Sequence, residues 1–154
     1  MIRISVQAFT ISATHAVCCF FLSGAAYADQ LYSWTVNKGV VNIVGEGNQI
    51  SLGDGSGVDV NRAELQRVAV NAGQLNTITA KIKSDDSNMH VYIGANGYGE
   101  NGGAYTDWTE ISFTFTPSSD AVELYGSFWK QQPSIAYVKD FTLNGLCPTC
   151  RAYT

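Results

Sequence analysis

The sequence is poor in charge, in proline and in helical periodicity. Only 14% of its 154 residues are charged, nine Lys and Arg stand against 13 Asp and Glu, and proline occurs three times. The formal net charge of −4 disfavours nucleic acid and anionic membranes as partners, because both need a basic surface to neutralise their phosphates. No segment repeats its apolar residues at helical spacing over several turns. The pattern therefore argues against a helical fold.

The groups that catalysis needs are also scarce. Beyond the first 28 residues His90 is the only histidine, and no serine or cysteine stands in a nucleophile-elbow sequence. Glycoside hydrolysis needs two carboxylates about 5–10 Å apart. Glu123 lacks an acidic partner, since Glu110 is expected in the opposite sheet, and the loop around Asp54 lacks the ligand spacing of a metal site. The sequence predicts a protein that is not an enzyme and holds no catalytic metal.

Residues 1–28 are predicted to be a cleaved signal peptide. Arg3 provides a positive start, an apolar run extends from Ala8 to Gly24, and Ala26-Tyr27-Ala28 gives the small residues of a cleavage site. The alternatives are a transmembrane helix, which polar residues within the run argue against, and a lipid anchor at Cys18 or Cys19. The expected location is secreted or periplasmic, with no membrane insertion after cleavage.

The remaining cysteines lie in a C-terminal tail, residues 147–154. Cys147 and Cys150 form a Cys-Pro-Thr-Cys sequence, which in an oxidising compartment predicts a local disulfide. A redox site would need a helix after the first cysteine, and a zinc site would need two further ligands.

Residues 29–146 read as one all-β domain. Thr77 to Lys83 alternates between apolar and polar residues, and so does Trp108 to Phe115, with Ile111, Phe113 and Phe115 on the inner face. Gly94 to Asp107 is the longest predicted loop. About eight such strands, each with one apolar face, predict an antiparallel sandwich of two sheets.

Four segments carry a resemblance to a known family: Leu65–Gly73, Ile78–Lys83, Trp108–Thr116 and Ala136–Leu143. In its sequence of strands and turns, the chain over residues 60–145 resembles the carbohydrate-binding-module jelly roll of families 4, 9 and 22, in the galactose-binding-like superfamily. The resemblance implies jelly-roll topology and a secreted, lectin-like protein whose partner is a polysaccharide or another glycan. It is a resemblance of fold pattern and carries no catalytic signature.

The chain departs from that family where a structural calcium would be held. An acidic pair is expected on the last strand, where this chain has Lys139-Asp140, and no glutamate stands near Trp34. Because the hard oxygen ligands of calcium are missing, no cofactor is expected, and a structural calcium stays as the alternative.

Jelly-roll topology implies that the strands 77–83, 89–93 and 122–128 are neighbours in one sheet. Their polar faces would then form one carbohydrate-binding surface, consisting of Thr79, Lys81, His90, Tyr92, Glu123, Tyr125, Ser127 and Trp129. Tyr98 and Tyr105 in the long loop are further candidates, and Trp108 is assigned to packing at the sheet edge. Cross-strand aromatic packing is the alternative for Tyr92 and Tyr125.

Aromatic rings among hydrogen-bonding side chains suit sugars. A ring offers a flat apolar surface with a negative face, and hydroxyl groups need fixed donors and acceptors. Two other functions stay open: an extracellular or envelope protein that binds a protein partner, and a glycan-active enzyme.

Overall fold

The computed structural model describes residues 32–44, 49–57, 59–146 and 148–149, which form strands and no helix. The strands are β1 (Thr35–Lys38), β2 (Val41–Val44), β3 (Gln49–Leu52), β4 (Asp59–Ala69), β5 (Asn76–Ser84), β6 (Val91–Ala95), β7 (Gly99–Gly103), β8 (Thr109–Phe115), β9 (Ala121–Lys130) and β10 (Ala136–Leu143). Among these residues there is no helix of the length and hydropathy that crossing a membrane requires. The predicted signal peptide and both tail cysteines, Cys147 and Cys150, lie outside the described residues.

The strands form two antiparallel sheets of five. Sheet A has the order β1-β4-β9-β6-β7, and sheet B has the order β2-β3-β10-β5-β8. The predicted all-β, two-sheet sandwich is confirmed, with ten strands in the described residues where about eight were expected.

The core fills the space between the sheets with the apolar residues of each alternating strand. β5 alternates between buried and half-buried residues along its whole length, so that Ile78 and Ile82 face inward. Across the core, Leu124 and Phe128 of β9 are fully buried. Burying a large apolar side chain contributes about 1.5–3 kcal/mol, so this alternation fixes which face of each strand stays available for function.

The predicted loop from Gly94 to Asp107 is wrong. β6 continues to Ala95, the chain turns with Tyr98 N donating to Ala95 O (3.0 Å), and Gly99–Gly103 pairs back as β7. A strand of glycine, glutamate and asparagine has no apolar alternation, so its sequence reads as a loop. Backbone pairing with β6 makes it an edge strand.

The predicted neighbourhood of three strands is only half right. β9 pairs with β6 in sheet A, but β5 lies in sheet B between β10 and β8. The chain crosses from one sheet to the other after Ser84. Thr79 and Lys81 therefore lie on the opposite side of the sandwich from the other predicted site residues.

An ion pair between a buried lysine and an exposed aspartate links the end of β9 to the loop that follows β3. Lys130, at the end of β9, is 1% exposed, and its Nζ lies 2.9 Å from Asp54 Oδ1. The same carboxylate accepts hydrogen bonds from Ser56 Oγ (2.6 Å) and Ser56 N (2.9 Å). These bonds from Ser56, together with the one from Lys130, hold the pKa of Asp54 well below its usual range.

This pair predicts a specific dependence of stability on pH. The pKa of Asp54 is lower in the folded chain than in the unfolded chain. Ionised Asp54 therefore contributes fully to the free energy of unfolding above the ordinary carboxyl pKa of about 3.9, and this contribution is lost as the pH falls below that value. Asp54→Asn should lower the unfolding temperature at about pH 7, and the difference from the parent protein should shrink by about pH 3. Asp107→Asn, at an exposed position, is the control. A constant difference across this range would contradict the assignment.

Candidate functional site

The outer face of sheet A carries most of the predicted site. Across the central strands, Tyr92 is in register with Ser127 and Ser127 with Arg62, and in the next row Gly94 is in register with Tyr125 and Tyr125 with Glu64. These outward-facing residues of β4, β6 and β9, together with Glu100 of β7, which is in register with Gly94, are called the sheet-A face.

Tyr125 is not an open ring. It is 6% exposed, and it lies over Gly94, where an added Cβ would be only 2.5 Å from its Cζ. The guanidinium carbon of Arg62 lies 3.8 Å from the centre of the ring. The prediction that Tyr125 offers its ring to a ligand is therefore wrong, because its surroundings cover the ring.

Tyr125 instead holds a network of polar groups together. Its hydroxyl donates to Glu100 Oε2 (2.9 Å), and burial together with this carboxylate raises its pKa, so the phenol stays a donor. Arg62 Nε lies 2.8 Å from Glu64 Oε1, but its N–H does not aim at that oxygen, so the contact is an ion pair without a hydrogen bond. Asn37 Nδ2 donates to Glu64 Oε2 (3.0 Å). The network therefore holds polar and charged groups in place across sheet A, from its edge strand β1 to its other edge strand β7.

Beside this network lies a depression with aromatic walls. It has a volume of about 290 Å³ and is lined by Asn88, Met89, His90, Tyr92, Trp129 and Gln131. Trp129 is 60% exposed. His90 Nδ1 lies 3.1 Å from the Tyr92 hydroxyl, which orients both rings. The structure thus brings His90, Tyr92 and Trp129 together, and Ser127 is next to Tyr92 by register. This group of six lining residues is called the aromatic depression.

Glu123 lies at the other end of β9. It is six positions away from Trp129, a distance of about 20 Å along a strand. Its Oε2 accepts a hydrogen bond from Asn96 Nδ2 (2.8 Å). It lines a second, more open depression of about 490 Å³ with Arg67, Asn96 and Tyr98. Glu123 therefore does not contribute to the aromatic depression.

The two tyrosines assigned to the long loop have separate surroundings. The Tyr98 ring packs on Phe115 at 5.7 Å between centroids, and its hydroxyl accepts a hydrogen bond from Ser118 N (3.1 Å). Contact with the Ser118 side chain and backbone lowers the pKa of Tyr98. Tyr105 is 37% exposed, and its ring covers Gly103. Neither tyrosine lines the aromatic depression.

Sequence reasoning missed a second aromatic group, on the outer face of sheet B. Trp108 and Tyr137 meet edge to face with their ring centres 6.3 Å apart. Lys139 Nζ lies 4.1 Å from the centre of the Trp108 ring, and Lys83 Nζ lies 5.2 Å from it. These four residues are called the Trp108 cluster. The alternation of Tyr137 and Lys139 around buried Val138 could have revealed that they share a face.

Among the described residues, no group of three or more His, Cys, Asp and Glu side chains is placed to hold a metal ion.

Gly94→Ala tests how tightly Tyr125 is seated. The new Cβ would lie 2.5 Å from both Tyr125 Cζ and Gly99 O, so the ring or the β6–β7 pairing must shift. Overpacking of this kind costs about 1–3 kcal/mol, measured as the free energy of unfolding in urea. Gly57→Ala, where an added Cβ meets nothing within 4 Å, is the control. Equal stabilities for the two variants would refute this packing.

No protein-family model matches the sequence, and a search of curated proteins gives no match.

Solved structures, in contrast, share the fold. TmCBM61, solved in complex with β-1,4-galactotriose, superposes with a TM-score of 0.53 at 13% identity, over 73% of this chain and 86% of that chain. The CBM22-1 xylan-binding domain from Paenibacillus barcinonensis Xyn10C superposes with a TM-score of 0.50 at 12% identity, over 76% of this chain and 88% of that one. The resemblance in fold that the sequence indicated is confirmed: this chain has the jelly-roll fold of carbohydrate-binding modules.

Proposed function

We propose that this protein is a secreted, non-catalytic carbohydrate-binding protein whose ligand lies in the aromatic depression. The observation that carries the proposal is Trp129, which is 60% exposed on a wall of the depression that it shares with Tyr92 and His90. An exposed aromatic beside a concave polar surface is typical of a binding site. The fold is compatible, since TmCBM61 was solved with β-1,4-galactotriose.

The chemistry of the aromatic depression matches that of a sugar ring. The C–H face of a pyranose can rest on the Trp129 ring, whose face is weakly negative. Gln131 supplies an amide donor and acceptor for hydroxyl groups, and one nitrogen of His90 stays available beside the one near Tyr92. Asn88 adds a second amide, whose Nδ2 also donates to Asp86 Oδ1 (3.2 Å). Ordering Trp or Tyr costs little entropy, because each side chain has only two χ angles.

The size of the depression suggests a short stretch of glycan. About 290 Å³ is at the lower end of the range of about 300–1,000 Å³ that is typical of ligand pockets. A longer chain would continue over the sheet-A face, where Arg62, Glu64 and Glu100 are already held by their neighbours. Prior fixation of these groups reduces the ordering cost of binding.

The lining residues favour binding over hydrolysis. None of the six is an acidic residue, whereas glycoside hydrolysis needs two carboxylates that flank the scissile bond. Asp86, which is hydrogen-bonded to the lining residue Asn88, also accepts a hydrogen bond from Gln132 Nε2. Glu64 and Glu100 are engaged by Arg62 and Tyr125. A ligand in the depression would therefore be held without being cleaved.

A protein partner is the second candidate, and a different surface favours it. Val36, Ile43 and Val44, on the edge strands β1 and β2, are 54%, 47% and 50% exposed. Edge strands with apolar side chains can pair with another chain. A stable oligomer or protein complex that forms equally well with Trp129→Ala would support this alternative.

Trp129→Ala is the sharpest test of the proposed site. An aromatic residue at the centre of a binding site contributes about 2 kcal/mol or more, so affinity for a neutral oligosaccharide chosen from a glycan array should fall about 30-fold. Tyr92→Ala should weaken binding in the same direction. Isothermal titration calorimetry measures both, and because Trp129 is exposed, stability should change by less than about 0.5 kcal/mol.

Trp108→Ala, on the opposite face, is the matched control and should leave binding of the neutral sugar unchanged. If Trp108→Ala abolishes that binding while Trp129→Ala does not, the site is placed on the wrong sheet. If the parent protein binds no glycan on the array, the proposed function itself is wrong.

A further inference from the structure

The Trp108 cluster combines two aromatic rings with two ammonium groups. Lys83 Nζ is nearly equidistant from the two rings, 5.2 Å from the centre of Trp108 and 5.1 Å from that of Tyr137. Lys139 Nζ approaches Trp108 to 4.1 Å. All four residues are half-buried, so each keeps part of its surface open to solvent.

The charges of these two lysines are not balanced by carboxylates. In the part of the chain that the structure describes, neither Lys83 nor Lys139 forms an ion pair. Their neighbour Lys81 does, with Nζ 3.0 Å from Asp140 Oδ2. Glu110 of β8 is in register with Lys81 of β5 and lies on the same side of the sheet. Two free positive charges thus stand beside two rings on a protein whose formal net charge is −4.

The surrounding backbone keeps this arrangement in place. Tyr137 is in register with Lys83, and Lys139 is in register with Lys81. After Lys139 a bulge occurs, with Asp140 at φ 53°, so that Lys139 and Asp140 are both half-buried while Phe141 returns to the core. The bulge leaves the Lys139 ammonium over Trp108 and gives Lys81 its own carboxylate.

We propose that the Trp108 cluster is a second glycan site and that it selects acidic sugars, the uronic acids. The apolar face of the sugar ring would rest on Trp108 or Tyr137, and its carboxylate would replace the ring faces as the partner of Lys83 and Lys139. A carboxylate bonds an ammonium group more strongly than an exposed aromatic ring does. A neutral sugar would have to displace the Lys139 ammonium group from Trp108 without providing a negative charge in exchange. Binding of a neutral sugar at this cluster is therefore disfavoured.

Nucleic acid does not fit the same group. Phosphate-backbone binding needs many basic residues along a track, and here two free lysines stand near Glu110 and Asp140. One carboxylate held by two ammonium groups at an aromatic surface matches a single sugar unit. The inference rests on the proposal that the protein binds glycans, but it concerns the opposite face and can fail separately.

The test compares polygalacturonate with its methyl-esterified form, which has the same backbone and lacks the charge. The parent protein should bind the acid at least about fivefold more tightly, and this preference should decrease as salt is raised from about 0.02 to 0.5 M. The double variant Lys83→Gln, Lys139→Gln should lose the preference. Lys38→Gln, at an exposed lysine on β1, should keep it.

Further measurements distinguish failure of this inference from failure of the proposed function. Trp129→Ala should retain binding of polygalacturonate, because it alters only the opposite face. Equal affinity for acid and ester, or a preference that survives the double variant, overturns the inference while binding of neutral sugar at Trp129 can persist. Tighter binding of dextran sulfate than of polygalacturonate overturns the assignment to carboxylates. Absence of binding to any glycan overturns both proposals.

Discussion

The position of β9 between β4 and β6 determines the geometry of the candidate binding surface. β9 places Leu124 and Phe128 in the core, so its alternate residues must face outward in register with those of β6. One residue of slippage would bury Trp129 and expose the core side chains. The same pairing seats Tyr125 over Gly94, where the absence of a side chain makes room for the ring. The register that stabilises the sandwich therefore also sets the positions of the candidate ligand contacts.

The two faces of the sandwich use aromatic residues differently. On sheet A, Tyr125 lies beneath Arg62 and supports a fixed polar network, while Trp129 stays exposed beside Tyr92. On sheet B, Trp108 is covered by the ammonium group of Lys139, which a flexible side chain can withdraw. Arg62, in contrast, is held by Glu64, so its contact with the Tyr125 ring is part of the folded structure. The cation–aromatic contact on sheet A is thus part of the folded structure, whereas the proposed site on sheet B requires that Lys139 exchange its contact with Trp108 for a ligand.

Local patterns in the sequence predicted the strands well where burial alternates. β5 and β8 follow the alternation that their apolar residues dictate, and His90, Tyr92 and Trp129 do gather as expected. β7 was missed because glycine, glutamate and asparagine carry no such signal, and only pairing with β6 makes Gly99–Gly103 a strand. The residues of β5 do not reveal which sheet contains this strand, because its pairing partners β8 and β10 are distant in the chain. Burial of Tyr125 likewise depends on a glycine one strand away.

In the proposed function, a neutral sugar contacts Trp129 on the sheet-A face. The chain has three tryptophans, of which Trp34 is buried and Trp108 lies on the opposite face. Their indole N–H signals can be followed separately by NMR during titration with a neutral oligosaccharide. Binding in the aromatic depression should shift the Trp129 signal until it saturates and should leave the signals of Trp34 and Trp108 in place. A saturable shift confined to Trp108, or no shift in any of the three, would contradict it.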